Sequence, residues 1–487
     1  MIRIDVPESL GASERFGLEL LIDLSRLLVV QLSECELVRL TVVDRPSAGS
    51  AAADLSAHAA LERGNGEVRV SIAALRAVAE VAGGAIEQRS AARDRHDRVP
   101  SAENPLVAAG QSRRPVVSLL AVELRRAVLS VAERRLVRTV APWPEGHRWA
   151  ALMTHDLDVV DWWALFPLLR MAELSMKGSW DLIGRVGRAA RRSFGRDPVS
   201  RGVHSILQLE AHHGIRPTWF VICAKPGVRS VLAGDATYDT DGPAARRILE
   251  ALTHAGHEIG LHGSFATADS ASRLTEQRRT LSRLAGSPVL GVRQHFLRMR
   301  PGQTQRHMVA AGLEYDATWG FADRNGFRLG VADVVPSWDA AAERTLPIDI
   351  LPLIWMDRAL SKYAGIEEPG RWVEDARDLM RACKEVEGAW VGLWHPNTME
   401  ALGFPGAEPA FVSLLQALAD DRPYFGSAHK LVQWRKFRRS VRAARVAADG
   451  RVLLTTTSGH RTVIALEDEA GDTVKVQVQS SGAGGAA

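Results

Sequence analysis

Apolar and polar positions along the chain switch between period two and period 3.6, and the switches mark three regions. In residues 1–145, short β-like runs at 3–6, 37–43 and 68–72 are interleaved with helical patterns at 14–30 and 117–138. This predicts an N-terminal α/β domain of unassigned role. Between them, 88–115 is polar and rich in Ala, Arg and Ser, which predicts an exposed loop. Residues 139–145, with Pro142 and Pro144, read as a linker into the next region. Over 146–437, buried strands (149–153, 218–223, 256–262) alternate with helices (205–211, 244–253) over short links. That alternation favours right-handed β-α-β units and a parallel sheet, whose chemistry belongs at the carboxyl ends of its strands. Beyond 437 the period falls to two, at 450–457, 462–466 and 473–478. Turn signals at Asp449-Gly450, Ser458-Gly459 and Gly471-Asp472 separate these runs, so 438–480 predicts a small C-terminal β appendage. The tail 481–487 is expected to be disordered.

Composition narrows the class. With 487 residues and 46% hydrophobic content the chain can bury more than one core. Lys and Arg total 61 against 57 for Asp and Glu, a balance that leaves no electrostatic footprint for nucleic acid. Cys35, Cys223 and Cys383 are odd in number and far apart, so they suggest packing thiols and not a disulfide framework. The start of the sequence lacks a basic segment followed by an apolar core, and the apolar stretch 19–30 is broken by Asp23 and Arg26. No signal peptide or transmembrane span is expected, and the expected compartment is the cytoplasm.

Candidate chemistry gathers at strand ends. In Thr154-His155-Asp156-Leu157-Asp158, strand alternation puts Asp156 and Asp158 on one face and His155 and Leu157 on the other. Two such carboxylates repel unless a cation or a proton lies between them. A second polar strand end carries His262, within Gly256-His-Glu-Ile-Gly-Leu-His-Gly-Ser264. His257, five residues earlier, falls on the opposite face. Arg293 and His295, two residues apart, share a face, and His395 ends the apolar run 389–394.

Together, T-H-D-L-D at 154–158, H-H-G-I-R-P-T-W-F-V at 212–221, G-H-E-I-G-L-H-G-S at 256–264, V-R-Q-H at 292–295 and G-L-W-H at 392–395 resemble the polysaccharide deacetylases. These are the Nod-factor-deacetylase homology domains of carbohydrate esterase family four, and the resemblance spans about 149 to 437. It implies an α/β protein built on a distorted parallel (β/α) barrel, a divalent metal with zinc as first choice, and hydrolysis of an N-acetyl group on a sugar. Carried over residue by residue, Asp156 is the catalytic base and Asp158 a metal ligand, although the family places its two aspartates side by side. His262 is a ligand, Arg293 steadies the base, and His395 is the general acid, with Asp357 positioned to orient it. The family's second histidine ligand should fall at residue 266, which is alanine. His295 is the chosen replacement, with an orienting or substrate-contacting role and a structural role as its alternatives. Asp316 and Trp319, in the 315–328 block, are the expected substrate wall.

The 159–202 stretch interrupts the barrel pattern after the Asp156 strand and contains Trp162, Trp163 and Trp180 together with arginines 185, 188, 191, 192 and 196. It reads as a lid or substrate wall. Its basic half, 185–196, also suits an anionic membrane surface, or simply a solvated helix face. Two functions follow. One is a metal-dependent hydrolase removing an N-acyl group from an amino sugar in a glycan, glycolipid or sugar precursor. The other is a catalytically inactive glycan-binding or scaffold protein, for which Ala266 is the main support.

Overall fold

The computed structural model describes residues 1–133, 135–160, 165–193, 197–232, 234–457, 462–468 and 472–480. Its centre is a curled sheet in which Trp355–Met356, Ala389–Leu393, Ala150–Leu157, Thr218–Ile222, Glu258–Gly263, Gly291–Gln294, Tyr315–Asp316 and Arg344–Ile350 lie side by side and parallel. Val335–Asp339 adds an antiparallel edge, and Tyr424–Phe425 pairs with the start of Ala150–Leu157. Spatial order follows chain order, except that Ala389–Leu393 returns to lie beside Ala150–Leu157. Among the described residues no ladder joins Arg344–Ile350 to Trp355–Met356. There the chain itself crosses, with Leu351 N–H donating to Asp316 O (2.9 Å), Leu353 N–H to Trp319 O (3.0 Å) and Ile354 N–H to Val391 O (3.0 Å).

Helices cover the outside of this sheet, so its strands are buried on both faces and read as nearly unbroken apolar runs. All eight residues of Ala150–Leu157 are buried. Local signals set the helix ends. Asp197 caps Pro198–His212 by accepting from the backbone N–H groups of Val199 and Ser200. Ala271–Ala285 stops at Gly286, whose φ of 67° is the left-handed conformation that a helix C-terminus favours.

The first region forms a four-stranded sheet, in the order Ile2–Asp5, Val38–Val43, Glu67–Ser71, Leu61–Gly64. It packs with Ala12–Leu24, Ile72–Val81 and Val116–Ser130, helices shorter than the 14–30 and 117–138 patterns suggest. Ala12–Leu24 stops because Arg26 takes φ 63° and sends its guanidinium to Val140 O and Glu467. The C-terminal strands Val441–Val446, Val452–Thr456, Thr462–Glu467 and Thr473–Ser480 belong to a six-stranded sheet edged by Val30–Ser33 on one side and Thr139–Val140 on the other. Strands from the first 145 residues and from 438–480 are thus hydrogen-bonded in one sheet. Buried Arg435 adds a further tie, pairing with Asp23 and Asp333 at 2.8 Å each.

The 88–115 stretch is not the exposed loop that its composition suggests. Arg98, Val99, Asn104 and Leu106 are buried, and Asn104 Nδ2 donates to Glu87 Oε1 (2.8 Å) and Arg328 O (2.9 Å). Arginine-rich chain can be buried when carboxylates and carbonyls receive each guanidinium, and Arg98 meets Asp94, Phe296 O and Tyr363 Oη. The 159–202 insertion forms the helices Leu165–Met176 and Trp180–Ser193. Trp162, Trp163, Arg196, the Ser458-Gly459 turn, Gly471 and the 481–487 tail lie outside the described residues. Cys223 and Cys383 are buried free thiols, while Cys35 is only half-buried. Among the described residues no helix is long and apolar enough to cross a membrane.

Candidate active site

Register places the site. Within the parallel ladder His262 pairs with Arg293 on one side and Ile222 on the other, and Asp156 pairs with Phe220. The polar residues therefore reach the same end of the sheet, where Asp156, Asp158, His262, His295 and His395 line a cavity of 510 Å³. His155, on the alternate face, points into the core instead, bonding Trp394 O (2.7 Å) and Glu210 (2.8 Å). His257 lies before its strand, away from the cavity, with a buried Nδ1 that has no partner.

Asp158 is the hub. Its Oδ1 lies 3.3 Å from His262 Nε2 and 3.8 Å from His295 Nε2, and its Oδ2 lies 3.7 Å from His395 Nε2. Burial opposes its charge, but the three imidazoles outweigh burial and hold the carboxyl below the usual range. The other ring nitrogens are fixed by acceptors. His262 Nδ1 donates to Arg293 O (2.9 Å), and His295 Nδ1 to Asp235 Oδ1 (3.0 Å). A carbonyl can only accept and an ionised carboxylate does the same, so the neutral rings carry their protons on Nδ1 and turn Nε2 lone pairs toward Asp158.

This donor set fits a divalent metal. Ligand atoms of Asp158, His262 and His295 lie within 4.8 Å of one another, and the buried Oδ1 of Asp158 has no hydrogen-bond partner. Two imidazoles and a carboxylate, each imidazole backed by a second acceptor, suit zinc and other first-row ions. Without a cation the rings can satisfy Asp158 only by taking up a proton. Burial opposes that at His262, yet Asp156 and Asp158 raise its pKa above the ordinary value.

Asp156 lies at the edge of this cluster. Its Oδ1 accepts from Arg293 Nη1 (2.8 Å), and its Oδ2 is 3.7 Å from His262 Nε2. Arg293 is fully buried, spans Thr154 Oγ1 (3.0 Å) and Ala317 O (3.1 Å), and lies over the Phe220 ring. Across the cavity, His395 Nδ1 is 2.6 Å from Asp357 Oδ1. Asp357 Oδ2 also receives the His395 backbone N–H (3.0 Å) and Thr398 Oγ1–H (2.6 Å). Burial disfavours the imidazolium of His395, but Asp357 and then Asp158 outweigh it and raise the pKa above the usual value.

Asp156, Asp158, His262, Arg293, His295 and His395 therefore converge, and Asp357 stands behind His395. The two residues expected to form a substrate wall do not join them. Asp316 is fully buried and committed to Gln305 Nε2 and the Thr318 backbone N–H, 2.8 Å each. Trp319 packs into the N-terminal core beside Gly84. The strand ends at Asp316, and beyond it Trp319 packs toward the N-terminal domain while Ala322 returns to the cavity lining.

Several contributors carried no signal in the sequence. Asp235, in the irregular loop 234–238, holds His295. That loop is fastened to the first strand by Thr237 Oγ1–H donating to Asp158 O (2.6 Å) and Tyr238 Oη–H to Leu157 O (2.8 Å). Phe296 adopts φ 59°, a left-handed turn that ends its strand, and its ring stacks on His295 (3.9 Å between centroids) and on His96 (4.8 Å). Arg95, His96 and Arg98 line the cavity from the 88–115 stretch expected to be an exposed loop, and Leu169, Arg170 and Glu173 line it from the insertion.

No protein-family model matches the sequence, and no curated protein matches it. Solved structures similar to this chain are polysaccharide deacetylases and members of carbohydrate esterase family four. A protein from Mycobacterium smegmatis described as a candidate polysaccharide deacetylase is 22% identical, over 60% of this chain and 92% of its own, with a TM-score of 0.39. A family-four carbohydrate esterase from Streptomyces lividans is 11% identical, over 56% and 91%, with a TM-score of 0.28. A family-four pseudoenzyme from Bacillus anthracis is 12% identical, over 58% and 65%, also with a TM-score of 0.28. Overlays this loose carry no functional weight, which falls on the side chains of the site.

Proposed function

We propose that the protein is a metal-dependent hydrolase that removes an N-acyl group, acetyl in the simplest case, from an amino sugar. The observation that carries this reading is the convergence of Asp158, His262 and His295 between a base, Asp156, and an acid, His395, each tied to its own buried partner. On this reading the curled sheet is the family's distorted (β/α) barrel, and Asp158, His262 and His295 hold the metal. A bound divalent ion would supply Lewis-acid polarisation and a lowered water pKa, which amide hydrolysis requires at neutral pH.

The chain's own groups carry out the proton transfers. Asp156 accepts a proton from the attacking water, and Arg293 keeps the carboxylate in one orientation through a charge-assisted bond. His395 donates from Nε2 to the departing nitrogen, while Asp357 stabilises the imidazolium and fixes its ring. The acyl group leaves as a carboxylic acid and the sugar as an amine. The binding-module alternative rested on Ala266, and His295 Nε2 near Asp158 weakens that support.

The insertion is read as a wall of the site with an interfacial outer face. Leu168 (60% exposed), Met176 and Trp180 are exposed along and just after Leu165–Met176. The neighbouring helix exposes Arg185, Arg188, Arg191 and Arg192. Apolar and cationic side chains exposed together suit an anionic lipid surface. The proposed activity is tested by acetate release from a panel of N-acetylated amino sugars, with and without a chelator. Chelator-sensitive release that is lost in Asp156→Asn supports it, and the absence of release from every substrate counts against it.

A further inference from the structure

Part of the cavity lining is cationic with no carboxylate in direct contact. Arg358 and Lys362 are four residues apart on the π-helical turn Ala359–Tyr363 and its N-terminal flank, so both face the cavity, as does Arg95 from the 88–115 loop. The Arg358 guanidinium donates to Asn397 Oδ1 (3.2 Å) and lies over the Phe404 ring at 4.2 Å. Arg95 Nε–H donates to His96 Nε2 (3.1 Å), and Lys362 Nζ lies 5.8 Å from the Tyr363 ring centroid. Among the described residues none of the three has a carboxylate within ion-pair distance. Arg98 and Arg170, in the same lining, differ: each is paired, with Asp94 and with Glu173 and Glu367 respectively.

The local field agrees with this geometry. His96 lies among these cations, and burial first, then Arg98, Arg95 and Lys362, push its pKa down to about 4. Arg95 and Lys362 are exposed to solvent, and Arg358 is half-buried, its charge favoured at longer range by Asp357 and Asp158. An anion entering the cavity therefore meets three cations that no direct ion pair occupies. The Arg fork and the Lys ammonium are both donors suited to oxyanions.

We infer that Arg95, Arg358 and Lys362 form a subsite for an oxyanion on the substrate, a phosphate or a carboxylate, so that the amino sugar acted on is an anionic one. This rests on the proposed deacylase reading of the same cavity. An anionic substituent bound at this wall would set which end of the sugar reaches Asp156 and His395.

The test compares N-acetylglucosamine, N-acetylglucosamine 1-phosphate and N-acetylglucosaminuronic acid with the metal-loaded protein, measuring both kcat/KM and binding by calorimetry. Expected is a preference of about 10-fold or more for at least one anionic sugar over the neutral one, weakened by salt. The phosphate and uronate arms tell the two oxyanions apart. Lys362→Gln and Arg95→Gln should each cut the anionic-to-neutral ratio severalfold, with circular dichroism confirming the fold. Equal use of all three sugars overturns the subsite and leaves the deacylase reading standing. Preferential binding of an anionic sugar without any hydrolysis supports the subsite and overturns the deacylase reading. No preference in either binding or turnover overturns the subsite.

Discussion

Asp235 Oδ1 accepts a hydrogen bond from His295 Nδ1 at 3.0 Å, and the same oxygen accepts the Phe265 backbone N–H at 3.0 Å. One carboxylate thus fixes both the imidazole proposed as the third ligand and the turn that follows His262. If His295 binds metal, Asp235 sets its tautomer and ring angle. Asp235→Asn should therefore weaken metal affinity about 10- to 100-fold while the fold persists. Competition with a chromogenic chelator reads the affinity, and an unchanged value would separate Asp235 from the metal.

The Asp357–His395 pair should separate metal binding from turnover. Asp357→Asn and His395→Ala are expected to lower kcat by about 10²- to 10⁴-fold, with metal content close to that of the wild type, because neither residue is among the three proposed ligands. Elemental analysis alongside single-turnover acetate release checks this. Metal loss in His395→Ala would instead make His395 a ligand.

Much of the site was legible because strand alternation is strict. The two-residue spacing put Asp156 and Asp158 on one face and His155 on the other, and the structure places all three accordingly. His295 was chosen by the same rule, although it lies one residue beyond its strand, where Asp235 holds its ring. Asp316 and Trp319 were misplaced because their aromatic and acidic character reads the same in a buried contact as in a sugar wall. The 88–115 stretch failed as an expectation for a related reason. Its arginines suggest solvent by composition, but Arg98 is buried through long-range pairing that no local pattern records. Likewise, nothing in the runs at 450–457 and 473–478 announces that strands from residues 30–33 and 139–140 edge their sheet.

Acid sensitivity should have an identifiable contributor in His257. Burial, then His155 and Arg216, push its pKa down to about 4 from an ordinary 6.5. The unfolded chain therefore takes up this proton near pH 6.5 and the folded chain only near pH 4. The associated stability is fully present above pH 6.5 and is lost as pH falls from 6.5 toward 4. His257→Gln should flatten the loss of urea midpoint over that interval relative to wild type. Parallel curves would assign the acid sensitivity elsewhere.

The exposed face of Leu165–Met176 predicts binding to lipid surfaces of one charge class. Wild-type protein should co-sediment with phosphatidylglycerol vesicles in low salt and much less with phosphatidylcholine vesicles, while Leu168→Ser combined with Met176→Ser should abolish sedimentation. Equal recovery with both vesicle types, or with the double variant, would leave the insertion as a cavity wall alone.

The most direct test of the account is stoichiometric metal content measured in parallel for wild type and His295→Ala. The prediction is about one divalent ion per wild-type chain, and in His295→Ala loss of both the ion and acetate release from an N-acetylated sugar, with an unchanged circular dichroism spectrum. Wild-type protein that takes up no stoichiometric metal, or a His295→Ala variant that keeps both its metal and its hydrolysis, would contradict the metal centre built on Asp158, His262 and His295.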